Sequence, residues 1–349
     1  MEDLKSLNIS QLKKRMKEIG VALPNTGSGK NGAVLKKDLI DVLFEKQKGL
    51  VSSHSITTHK KMSPPKINIS DMYEFQGLLG KGKYGRVYLA RSKKTGAQVA
   101  IKIMDISNLD IAEREYGVTK NIGCLEHILC YRDLIATDED VYLVMDYLQG
   151  KDLFDVYIDR SGGDDGDDPI IPFSISELIV MFEQLLTGLE SLHRNQAAHM
   201  DLKIENVRAT LGGLVIIDLG MACFMTSFPV CDLKYSPGTQ ETLSPEMGYA
   251  MSKPYPKMTA DEFFASDVWM MGLIFKALAN LDSVNMKYVP VAGVTKEVYM
   301  KRWAEINRLR PTHTACQPLN ELVDDMLNIN YTKRPSAKEL LARIRSIKC

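Results

Sequence analysis

Several absences narrow the field before any motif is considered. Net charge is missing, since 44 Lys and Arg offset 44 Asp and Glu. Closely spaced cysteines are missing too. Cys124, Cys130, Cys223, Cys231, Cys316 and Cys349 include no C-x-x-C pair and do not cluster with the six histidines. That argues against a zinc site and a disulfide framework and makes reduced thiols the expectation. The N-terminus, Met1-Glu2-Asp3-Leu4-Lys5, lacks the apolar core of a signal peptide. The longest apolar stretch, Val268 to Leu281, is broken by Lys276 and falls short of the roughly 20 residues of a membrane span, so it is expected to be a buried helix. These absences together predict an intracellular protein, nuclear or cytoplasmic, with no membrane partner.

What is present is ordinary globular material, 45 % hydrophobic and 25 % charged, enough for one large or two unequal domains. The zero charge hides an asymmetry. Residues 1–66 hold 13 Lys/Arg against 6 Asp/Glu, a balance of +7, and the remainder carries −7. A basic N-terminal part invites a polyanion. Within it, Leu12, Met16 and Ile19 recur at helical spacing, and a second helix is expected from about Val34 to Phe44 with Leu35, Leu39, Val42 and Leu43 on one face. Two short helices joined by a glycine-containing loop and carrying Lys13, Lys14, Arg15, Lys17, Lys36 and Lys37 are similar to the SAP module. That resemblance implies DNA binding by residues 1–47, through phosphate neutralisation with little sequence preference. A solvated lysine face is the alternative. Residues 48–70 lack an apolar period and read as a flexible linker.

The chemistry concentrates in His199-Met200-Asp201-Leu202-Lys203-Ile204-Glu205-Asn206 and in Asp218-Leu219-Gly220. A hairpin from Val207 to Ile217, turning at Gly212-Gly213, is expected to bring Asp218 back beside Asp201 and Asn206. Magnesium takes oxygen ligands from one or two carboxylates plus phosphate oxygens. Asn206 and Asp218 therefore suit the metal of a bound nucleotide and leave Asp201 free to act as a base.

This pattern resembles the catalytic and magnesium loops of eukaryotic-type protein kinases, His-Arg-Asp-Leu-x-x-x-Asn followed by Asp-Phe-Gly. Other motifs of that family stand in the same order. Gly80-Lys81-Gly82-Lys83-Tyr84-Gly85-Arg86-Val87 matches the glycine-rich loop, and Val99-Ala100-Ile101-Lys102 the strand with the nucleotide-binding lysine. Ser244-Pro245-Glu246, Asp267-Val268-Trp269 and Lys333-Arg334-Pro335 follow. The resemblance implies an α+β fold of two lobes over residues 71–349, with a small β-rich N-lobe at 71–147 and a large helical C-lobe at 148–349.

It also implies ATP and Mg²⁺ as cofactors and a protein substrate with a Ser/Thr acceptor, since Asp-Leu-Lys-x-x-Asn is followed by Gly238-Thr239. Gly80, Lys81, Gly82, Tyr84, Gly85, Val87, Ala100 and Lys102 would bind the nucleotide, with the backbone of the glycine loop approaching the phosphates, Tyr84 closing over them and Lys102 holding them. Met145, Asp146 and Leu148 would line the adenine pocket, and Asp152 would reach the ribose. Lys203 would neutralise the transferring group, while Asp201, with Asn206, would carry the chemistry. Glu115 is the expected partner of Lys102, with Glu113 the runner-up. Asp267 would brace the catalytic loop, and Arg334 would pair with Glu246.

Two positions depart from the family. Leu219 replaces phenylalanine and keeps its apolar character. Met200 replaces an arginine that clamps an activation-loop phosphate, a contact methionine cannot make. Phosphorylation between Met221 and Gly238, Ser236 included, is therefore not expected to be required by that route. Besides an active serine/threonine kinase, a pseudokinase scaffold and a DNA-binding interaction protein remain open as readings of the sequence.

Overall fold

Strand β3, Gln98–Asp105, shows how alternation builds the first half of the fold. Ala100, Lys102 and Met104 share one face, and Ala100 and Met104 join the main core. Val99, Ile101 and Ile103 share the other, against a separate small cluster with Ile69, Ala90, Ile135 and Val144. Period-two alternation thus sends Lys102 inward between two apolar neighbours.

The computed structural model describes residues 68–349 apart from 83, 162–169, 228–230, 232, 234–237, 254–256, 282–294, 308 and 310. The chain divides into two units, Met1–Pro65 and Lys66–Cys349. The expected helical module at 1–47 and nearly all of the linker at 48–70 lie outside the described residues. So do Lys83 and Ser236.

Strands β1 (Tyr73–Gly82), β2 (Gly85–Ser92), β3, β4 (Tyr131–Ala136) and β5 (Asp140–Asp146) form an antiparallel sheet in the order β1-β2-β3-β5-β4. One helix, α1 (Leu109–Ile122), accompanies it. Its buried residues Ala112, Glu115 and Val118 stand three apart and so share a face, which places a carboxylate on an otherwise apolar stripe. The helix stops at Gly123, whose φ of 76° suits glycine and whose N–H bonds back to the Thr119 carbonyl.

After β5 the chain becomes helical. Strand β6 (Gly150–Asp152) and helix α2 (Leu153–Ser161) lead to α3 (Ile175–Arg194), which opens with a reciprocal capping box between Ser174 and Glu177. Leu178, Phe182, Leu185, Leu189 and Leu192 of α3 are buried, each contributing about 1.5–3 kcal/mol by leaving water. Next come β7 (Ala197–Ala198), the hairpin β8 (Val207–Thr210) and β9 (Gly213–Ile216), β10 (Cys223–Phe224) and α4 (Pro245–Met251). The 21-residue α5 (Ala260–Asn280) holds the apolar stretch noted in the sequence, and its Phe275 stacks on Phe182 of α3 at 3.7 Å between ring centroids. Helices α6 (Lys296–Ile306), α7 (Gln317–Met326) and α8 (Ala337–Ser346) complete the fold. Among the described residues no helix is long and apolar enough to cross a membrane.

The expectation of reduced thiols is overturned. Cys124 pairs with Cys130, Cys223 with Cys231 and Cys316 with Cys349, leaving no free cysteine. Partners stand 6, 8 and 33 residues apart, so no local spacing rule finds them. The turn after α1, the loop after β10 and the return of the C-terminus to the start of α7 bring the Cα atoms to 4.9–5.6 Å, within bonding range. The argument for a reducing compartment loses its support with them.

Candidate active site

A cavity of about 420 Å³ lies between the sheet and the helical half. Gly80, Lys81, Gly82, Val87, Ala100 and Lys102 line it from the sheet. Met145, Asp146, Leu148 and Asp152 line it along the segment joining the two halves, and Glu115 and Asp218 complete the wall. Two members of the expected nucleotide set are absent from this lining. Tyr84 is 39 % exposed. At Gly85 the need for glycine is structural, because a Cβ would run into the Ile103 carbonyl where β2 meets β3. Gly80 differs, since a Cβ there would meet no atom within 4 Å. The protein's own packing does not ask for glycine at 80.

Lys102 Nζ donates to Glu115 Oε1 at 2.5 Å. Glu115 is 2 % exposed, and Glu113, the alternative partner, faces solvent. Burial raises the Glu115 pKa, opposed by the Lys102 ammonium and seconded by the nearby Asp218 carboxylate.

The second half of the site is fixed from below by α5. Asp267 Oδ2 accepts the His199 N–H at 2.7 Å and Oδ1 the Met200 N–H at 2.8 Å, while His193 Nε2 reaches Oδ2 at 3.0 Å. These bonds hold Met200 at φ 70°, an uncommon backbone for a non-glycine residue, with its side chain in the core. His199 Nδ1 accepts the Asp201 N–H, so its Nε2 carries the proton toward the Ile217 carbonyl.

Asp201 Oδ1 accepts both the N–H and the hydroxyl of Thr239, each at 2.7 Å. Lys203 Nζ donates to the same hydroxyl at 2.7 Å and stands 3.6 Å from Asp201 Oδ2. Asn206 Nδ2 donates to the Asp201 carbonyl and to Asp201 Oδ2. Its amide nitrogen is thereby spent, and Oδ1 is the atom left for a cation. The Asn206 carbonyl accepts the Ile217 N–H at 2.8 Å, which brings the end of the β8–β9 hairpin, and Asp218 after it, to the catalytic loop. Asp218 has φ 62° and ψ 76° and caps its own turn through Gly220 N–H.

Residues from the joining segment are more heavily engaged than expected. The Asp146 N–H donates to the Cys130 carbonyl, so only its backbone oxygen could meet a base. Its side chain pairs instead with Arg132, at 2.6 and 2.8 Å. Arg208 donates to the Leu148 carbonyl, the Gly150 carbonyl and Asp152 Oδ1, the last at 2.6 Å. Leu148 therefore has its N–H to offer, and the carboxylate expected to reach a ribose is shared with a guanidinium. Arg208 and Tyr131 were not among the expected site residues, and Thr239 was expected only as a mark of the Ser/Thr acceptor. An arginine two positions after Asn206, facing Asp152 across β8 and β6, is a signal that the sequence contains only once the strand pairing is known.

Beyond the cleft, Arg334 grips Glu246 bidentately at 2.6 and 2.9 Å with both side chains buried. Glu246 sits in the first turn of α4, just after the segment that carries Thr239. Among the described residues no three His, Cys, Asp or Glu converge as a metal cage. Asn206 and Asp218 are instead a donor set that relies on further oxygens from a phosphate ligand, which is the usual way magnesium is held.

Lys102 on the sheet and Asp218 after the β8–β9 hairpin line one cleft, while Asp201, Lys203 and Asn206 of the catalytic loop stand outside its lining. Residues 73–343, from β1 into α8, match the model of the protein kinase domain, and the chain belongs to that family. It is 28 % identical over 281 residues to the putative sperm motility kinase W of Mus musculus, covering 79 % of this chain and 50 % of that protein. It is 31 % identical over 218 residues to the SNF1-related protein kinase catalytic subunit alpha KIN12 of Arabidopsis thaliana, covering 61 % and 40 %. It is 29 % identical over 214 residues to the serine/threonine protein kinase OSK3 of Oryza sativa subsp. indica, covering 59 % and 38 %. The chain thus spans half or less of the length of these curated relatives.

Proposed function

We propose that the chain is an active serine/threonine protein kinase that transfers the γ-phosphoryl group of ATP to a protein hydroxyl, with residues 1–47 tethering it to DNA. The observation that carries the first part is that Lys102, from the sheet, and Asp218, from the helical half, line the same cavity. Lys102, steadied by Glu115, holds the α/β-phosphates, and the open backbone at Gly80 and Gly82 receives them. Asn206 Oδ1 and the Asp218 carboxylate are the ligands for magnesium, which when bound offsets the charge of the phosphates. Asp201 orients the acceptor hydroxyl and takes its proton as the oxygen bonds to phosphorus and ADP leaves. Lys203 lies against the same Thr239 hydroxyl and supplies positive charge beside the acceptor.

Thr239 supports a Ser/Thr acceptor, since its hydroxyl locks Asp201 and Lys203 together, and the Oryza sativa relative bears that specificity in its name. The Lys102–Glu115 pair favours catalysis over a scaffold role. The excess positive charge of the N-terminal 66 residues supports the DNA tether.

The test is label transfer from ATP to a generic basic protein by the full chain, with and without duplex DNA, against Asp201→Asn. Loss of the base is expected to cost on the order of 10²–10⁴-fold in rate. Equal activity in both proteins would end the catalytic reading. A gel-shift titration of the full chain at low salt that leaves duplex DNA unshifted would end the tether.

A further inference from the structure

We propose that Tyr131 is a positioning residue of the nucleotide site, its phenol joining the Lys102–Glu115 pair to the backbone of the Asp218 turn so that lysine and metal-binding aspartate are set as one unit. The proposal rests on the kinase reading and deepens it. Tyr131 lies on β4, is 3 % exposed, and lines the cavity with Glu115 and Asp218.

Hydrogen-bond accounting fixes its role. The Leu219 N–H can only donate, and it points to the phenol oxygen at 3.3 Å. The Glu115 carboxylate, which accepts from Lys102, lines the same cavity wall as the phenol, and between a carboxylate and a phenol whose oxygen already accepts from Leu219 it is the tyrosine O–H that donates. The result is one directed chain running from Leu219 N–H through the phenol to Glu115, which also accepts from Lys102.

The location of this chain gives it consequence. The Leu219 nitrogen belongs to the peptide bond immediately following Asp218, whose left-handed φ of 62° persists only if its surroundings enforce it. The phenol holds one end of that peptide. On the other side of the turn a Cβ at Gly220 would stand 3.4 Å from Glu115 Oε1, so α1 already touches the turn there. A phenylalanine at 131 would keep the packing and break the link, leaving the buried Leu219 N–H without its acceptor.

The experiment uses the full chain carrying Tyr131→Phe. Dissociation constants for adenosine and for ATP with magnesium are measured by calorimetry beside turnover. Adenosine, which has no phosphates, is expected to bind as in the wild type, which also shows that the variant is folded. ATP with magnesium is expected to weaken, and turnover to fall, by roughly ten- to a hundredfold, the size of one hydrogen bond to a charged group. In a Glu115→Gln background the same replacement is expected to add little, because the chain is already cut. An unchanged ratio of the two dissociation constants, a parallel loss of both ligands, or full additivity with Glu115→Gln would each overturn the proposal. A wild type that binds ATP but shows no turnover would count against the kinase reading and leave the binding ratio to judge Tyr131.

Discussion

Gly238 shows how tightly the catalytic loop is enclosed. Its φ is 73°, and a Cβ there would strike the Met200 carbonyl and lie 3.1 Å from Asp201 Oδ1. Two residues with left-handed backbone, Met200 and Gly238, therefore meet back to back beneath Asp201. Gly238→Ala is expected to destabilise the fold by about 1–3 kcal/mol and to lower turnover by displacing Asp201 from Thr239, both read from urea unfolding and the kinase assay on one preparation. Residues of this kind divide by how local their signal is. Lys102, Asp201, Asn206 and Asp218 stand out in the sequence because their spacing along the chain carries the chemistry. Tyr131 and Arg208 do not, because their work depends on which strands become neighbours: β4 beside β5, and β8 beside β6. Gly85 misleads for the opposite reason, being a glycine inside a motif whose need is met by the Ile103 carbonyl.

Among the elements, helices announced themselves best. The Ser174/Glu177 and Ser336/Glu339 boxes are written in four consecutive residues each, and both form. The same four-residue signal, Thr259/Glu262, opens α5. The Ser174 N–H and hydroxyl hold the Glu177 carboxyl below the ordinary carboxylate range, with Arg160 adding to the effect. A depressed pKa in the folded state means that the stabilisation is present above the unfolded value of 4.5 and is lost as pH falls through the folded one. Ser174→Ala is accordingly expected to cost about 1 kcal/mol at neutral pH. The gap to the wild type should shrink as the medium is acidified through the carboxylate range. Urea titrations of both proteins across that range check it, and a gap that grew toward acid would contradict the cap.

For the whole molecule, the cysteines carry the lesson and the sharpest test. Spacing rules see pairs three residues apart, whereas Cys316 and Cys349 are joined by a chain end that runs through α8 and returns to α7. That bond spans 33 residues and closes the end of the helical half, from the start of α7 through α8, on itself. In the chain-entropy account a loop of this length removes roughly 3–4 kcal/mol worth of freedom from the unfolded chain. Cys349→Ser leaves the nucleotide cleft untouched, because neither cysteine lines it. The variant is thus expected to unfold at lower urea by that amount under oxidising conditions, with turnover retained at temperatures where it stays folded. Excess reductant opens the wild-type bond too, so the difference between the two proteins should then vanish. If the two proteins were equally stable before reduction, the C-terminal bond would not form in solution, and the closure of α7 and α8 would rest on packing alone.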